Sequence, residues 1–171
     1  MSKPILCLDF DGVVNSYTSG WVAADKIPDP VTPGFIPWLV EADKHWTIAI
    51  FSSRSHQPGG LEAMRAYIWH AMGEHFDLNG HPDEHTAAWA LTNRIQWPLN
   101  KPPAMVTIDD RALTFTGKWA DFPPEALMVF KPWNKLPKNT KMLPPDLSST
   151  GSTQASRRPR SLIRRILTAL T

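Results

Sequence analysis

Apolar residues fall into two patterns along this chain. Three short stretches are mainly apolar without alternation: ILCLDF, Ile5 to Phe10, WTIAIF from Trp46, and PAMVTI ending at Ile108. A run of this length, closed by polar residues, predicts a strand buried on both faces, the kind found in parallel sheets. A fourth run, ALMVFKPW from Ala126, predicts one more strand. Between the runs the spacing turns helical. Phe35, Trp38, Leu39 and Ala42 share a face, with Thr32 and Pro33 offering an N-cap and a first turn. Leu61, Met64, Ile68, Ala71 and Met72 define a second helix after Pro58, Gly59 and Gly60, and Thr86 to Asn93 a third. In SYTSGWVAADKIPDPV, from Ser16, turn-formers surround short apolar runs and predict a small hairpin flap. Strands alternating with helices place the chain in the α/β class, with a mainly parallel sheet and right-handed crossovers.

Each of the first three strands ends on residues that can do chemistry. The first runs into Asp9 and Asp11, the second into Ser52 and Ser53, and the third into Asp109 and Asp110, with Lys101 just ahead of it. In open parallel sheets, ligands gather beyond the carboxyl ends of the strands, so these groups are expected to converge. Four neighbouring carboxylates would raise one another's pKa values without a counter-charge. Magnesium, a hard ion that takes oxygen ligands, resolves that conflict and makes Asp9, Asp11, Asp109 and Asp110 the expected metal set. A metal, a lysine and a serine hydroxyl around a spare carboxylate suit a phosphate dianion. Asp9 would attack phosphorus, Asp11 would protonate the leaving oxygen and then activate water, and Ser52 and Lys101 would hold the phosphate.

Composition refines this picture at the two ends. The formal net charge is +2, yet Arg157, Arg158, Arg160, Arg164 and Arg165 crowd the C-terminal segment, and without those five the balance is −3. The body is mildly acidic and the end basic. Cys7 is the sole cysteine, so no internal disulfide can form and a cytoplasmic setting is favoured. No stretch reaches the roughly 18 apolar residues that a membrane span requires. The expected organisation is a core over residues 1–135, a Pro/Ser/Thr-rich flexible linker over 136–159, and a short basic amphipathic helix over 160–171. That helix would favour polyanions such as nucleic acid, or a membrane surface.

The motifs carry a family resemblance. DFDGVVN resembles the first motif of the haloacid dehalogenase-like superfamily, IAIFSSRS its second, and KPPAMVTIDDRA its third and fourth, in family order over roughly residues 4–133. The resemblance implies a Rossmann-like three-layer α/β/α sandwich. It also implies a Mg2+-dependent phosphomonoesterase with Asp9 as nucleophile, Asp11 as acid/base, Ser52 and Lys101 on phosphate, and Asp109, with Asp110, on the metal. Too few residues separate the motifs for an inserted cap domain. The SSRS and IDDR details are similar to the phosphatase half of polynucleotide kinase/phosphatase enzymes, which makes Ser53, Arg54 and Arg111 candidate substrate contacts. The expected substrate is a nucleotide or a nucleic-acid terminal phosphate. The alternatives are a phosphorylated small metabolite, or a binding role on a degenerate phosphatase body.

Other readings of single residues weaken or narrow these roles. Ser52 could simply cap the next helix, and Asp110 could be structural. His81 and His85 have i,i+4 spacing, but Pro82 interrupts a regular helix there and no zinc site is expected. The tryptophans fall mostly at core-like spacings.

Overall fold

The computed structural model describes residues 2–78, 84–114 and 116–137. It divides into two compact units, Met1–Asp110 and Arg111–Thr171. The first unit holds strands β1 (Ile5–Leu8), β2 (Thr47–Ile50) and β3 (Val106–Ile108), and helices α1 (Phe35–Ala42), α2 (Gly60–Leu78) and α3 (Glu84–Arg94). All strand pairings are parallel, in the order β2-β1-β3, so the first strand of the chain is the middle of the sheet. The register pairs Cys7 with Ala49 on one side and with Thr107 on the other. Beyond β2, Gln96 adds a single parallel bridge to Ala49. This is the α/β arrangement that the alternation of strands and helices predicts.

The period of two along the strands explains how the sheet is buried. Leu6, Leu8, Ile48 and Ile50 share one face and join the main core, where α1 adds Phe35, Ile36 and Leu39, α2 adds Met64, Ile68, Met72 and Phe76, and α3 adds Ala88 and Leu91. The opposite face carries the small residues Cys7 and Ala49, also buried. The expected helical stripe on α2 is therefore real at Met64, Ile68 and Met72, all fully buried. Each such side chain contributes about 1.5–3 kcal/mol by leaving water.

Three expectations are corrected. β3 is not buried on both faces: Val106 is 45 % exposed and Ile108 40 % exposed. The physical reason is packing: the core cluster draws on β1 and β2 and takes nothing from β3. The ALMVFKPW run forms no strand among the described residues. Instead Pro123 and Pro124 start a single helical turn, α4 (Pro124–Leu127), because proline supplies a helical φ and no amide hydrogen. Thr32 does not cap α1 through its side chain. Gly34 is the N-cap in a left-handed conformation, and the Thr32 hydroxyl donates instead to the Val13 carbonyl at 2.6 Å.

The flap forms as the turn-rich segment predicts, with antiparallel bridges Asn15 to Val31 and Ala23 to Lys26. Asp29 closes it by accepting hydrogen bonds from the Thr18 hydroxyl and from the Ser19 amide and hydroxyl. Tyr67 of α2 donates to the Asp29 carbonyl at 2.9 Å and stacks edge-on against Phe10, so the flap is tied to the helix layer. No helix among the described residues is long and apolar enough to cross a membrane. The expected basic tail helix, nearly all of the expected linker, and the side chains of His81 and His85 lie outside the described residues.

Candidate metal centre and its flanking acid

Parallel strands bring their carboxyl ends to the same edge of the sheet, and here that rule acts on acids. β1 ends at Leu8 and β3 at Ile108, which are register partners. The next residue on each strand is an aspartate. The Asp9 amide donates to the Ile108 carbonyl at 2.9 Å, which fixes the Asp9 backbone against the end of β3. Carboxylate oxygens of Asp9, Asp109 and Asp110 lie within 4.8 Å of one another. Asp110 reaches the group because Gly12 makes room. A Cβ at Gly12 would sit 2.6 Å from Asp110 Cγ, and its φ of +90° is one that side-chain-bearing residues avoid. The glycine after the second acid thus serves both a turn and a close approach.

Asp9 is mostly buried, and its pKa is pushed up to about 7. Desolvation is the main cause; a hydrogen bond from the Phe10 amide pulls the other way, and the charges of Asp109, Asp110 and Asp11 push further up. Burial also raises the Cys7 thiol, on which the Lys101 ammonium acts in the lowering direction and Asp9 and Asp109 in the raising one. Lys101 itself is exposed.

Asp11 is not part of the three-acid group. Its carboxylate is gripped by Arg54: Nε donates to Oδ2 at 2.8 Å and Nη2 to Oδ1 at 3.0 Å, and Asn15 Nδ2 adds a third bond to Oδ1 at 3.0 Å. Both carboxylate oxygens are thus held by donors from Arg54, and Oδ1 by Asn15 as well. Arg54 is the largest fully buried side chain among the described residues, which corrects the expectation that it contacts substrate. Its Nη1 donates to the carbonyls of Ala23, Ala24 and Lys26, and the Trp21 ring covers its face at 4.5 Å. Arg54 therefore fastens the flap to the acid of the first motif.

The two serines separate by environment. Ser52 is buried and caps a short 3-10 helix, Ser53–His56: its hydroxyl accepts from the Arg54 amide at 3.3 Å while its own amide donates to Ser55 Oγ. Ser53 is exposed. Gly60 lets the next helix approach, since a Cβ there would collide with the Arg54 carbonyl. Arg111 opens the second unit, where it lines a cavity of about 500 Å3 with Leu113, Trp119, Phe122, Leu127 and Phe130.

Sequence reasoning missed Asn15 and Trp21. Asn15 could have been found as a polar residue four positions beyond Asp11 inside an otherwise apolar turn. Trp21 carried no signal, because nothing in its spacing couples it to Arg54. No family model, curated protein or solved structure matches this chain.

Proposed function

We propose that this protein is a divalent-metal-dependent phosphomonoesterase on a three-layer α/β/α core without a cap, in a reducing, cytoplasmic setting. The observation that carries the reading is the meeting of Asp9, Asp109 and Asp110 at the carboxyl ends of adjacent parallel strands. Carboxylate oxygens are donors that a hard divalent ion such as magnesium takes, alongside water and substrate phosphate. The lack of a cap is supported by the use of the intervals between motifs. The flap, α1 and β2 occupy the first, and the 3-10 turn, α2 and α3 the second.

Mg2+, when bound, would neutralise phosphate oxygens and hold Asp9 ionised. The Asp9 carboxylate attacks phosphorus, forming an aspartyl-phosphate as the bond to the leaving oxygen breaks. Asp11 enters the cycle protonated and gives that proton to the leaving oxygen; Arg54 and Asn15 stabilise the carboxylate so formed, which takes a proton back from the water that hydrolyses the acyl phosphate. Ser52, which uses its oxygen as an acceptor and keeps its proton to give, Ser53 and Lys101 are the donors for the remaining phosphate oxygens. Asp109 and Asp110 serve as metal ligands. The substrate is a phosphate monoester of a nucleotide or nucleic-acid end.

The test is hydrolysis of an aryl phosphate. Turnover is expected with Mg2+, with loss on EDTA and recovery on adding the ion back; Asp9→Asn is expected to lower kcat by at least about 1,000-fold, as loss of a nucleophile does. Full-speed turnover in EDTA, or by the Asp9→Asn protein, would defeat the reading.

A further inference from the structure

The flap presents one aromatic ring whose position the proposed chemistry gives a use. The Arg54 guanidinium carbon sits over the Trp21 ring, 4.5 Å from its centroid, yet Trp21 remains 45 % exposed, and Val22 beside it is 60 % exposed. Part of the indole is covered by Arg54, and nearly half of the residue's surface stays open to solvent. A lone surface tryptophan is often only a cover. Here the guanidinium beneath it is immobile: fully buried, held on one edge by both oxygens of Asp11 and on another by three flap carbonyls. The Trp21 ring and the Asp11 carboxylate thus both lie against the same buried guanidinium.

Resting on the phosphatase reading, we infer that Trp21 is the platform for the leaving group, and that the substrate is a phosphate monoester of a nucleoside whose base stacks on the open indole face. The order of the stack is base, indole, guanidinium. This assigns the flap to substrate selection. It also gives the buried Arg54 a positioning role: it holds the acid and the platform against one guanidinium.

The test compares adenosine monophosphate with glycerol phosphate. In Trp21→Leu, which keeps an apolar cover on Arg54 without a π face, the ratio of kcat/KM for the nucleotide to that for glycerol phosphate is expected to fall roughly 10- to 100-fold, chiefly through KM, the range that stacking one base supplies. Trp21→Phe is expected to hold the ratio within about threefold. An unchanged ratio in Trp21→Leu, including equal losses on both esters, overturns the inference. A second measurement does not depend on turnover: calorimetry of adenosine monophosphate binding to metal-free Asp9→Asn protein, with and without Trp21→Leu. A tenfold or greater weakening supports the platform; no measurable binding, or equal affinities, overturns it. If the wild type hydrolyses neither ester, the phosphatase reading falls while the binding measurement still decides the platform.

Discussion

Asp9 shows how one residue can be costly and useful at once. The folded protein holds its proton up to about pH 7, whereas the unfolded chain releases it near pH 4. Between those values the native state binds more protons, so stability is greatest at the acidic end and falls as pH rises through 7, by a few kcal/mol at most. In EDTA, the thermal midpoint of the wild type is expected to drop between pH 5 and pH 8, and Asp9→Asn to remove most of that drop. Equal pH dependence in the two proteins would contradict this. Gly12 belongs to the same scale. Gly12→Ala faces both the left-handed φ and the Asp110 carboxyl, and is expected to lower stability by about 2 kcal/mol or more, read in urea unfolding. The acids and this glycine were legible in the sequence because their spacing at strand ends carries the signal. The capture of Asp11 by Arg54 was not: it depends on a partner 43 positions away, whose burial no local pattern encodes.

At the level of elements, the flap packs Ile27 and Val31 against the core and is tied down beside the Arg54–Asp11 ion pair. Arg54 supplies that pair and three carbonyl bonds besides. Arg54→Met would leave Asp11 as a buried charge without its partner, a loss of about 3–5 kcal/mol. It would also release Ala23, Ala24 and Lys26. Trypsin cleavage after Lys26 is expected to accelerate at least tenfold in Arg54→Met relative to wild type at a temperature where both are folded; an unchanged rate would mean that the flap is held by other contacts. The element pattern itself was readable in β1, β2, α1 and α2, where strand runs and helical stripes are unambiguous. It failed at ALMVFKPW because an apolar run does not distinguish strand from loop, and Pro123 and Pro124 settled the matter locally. Thr32 shows a similar limit: its hydroxyl had two possible destinations, and a loop carbonyl won over the helix end.

For the molecule as a whole, the three acids are a stability liability that a bound cation would convert into an asset. A ligand that binds only the folded state stabilises it by mass action, about 2.7 kcal/mol at a hundredfold excess over its dissociation constant. Millimolar Mg2+ is therefore expected to raise the thermal midpoint of the wild type, and to do so far less for Asp109→Asn. An identical rise in both proteins would place the ion elsewhere.

The sheet order has a consequence for how the molecule comes into being. β1 emerges first during synthesis yet occupies the middle position, and Leu8 finds Ile108 only after a long stretch of further chain has been made. Such distant pairing slows folding. A nascent chain halted before Met105 could pair β1 with β2 but would leave the strand's other edge bare and Asp9 alone. Asp9, Asp109 and Asp110 are thus brought together by nearly the last part of the first unit to leave the ribosome, and no shorter intermediate can assemble the three carboxylates.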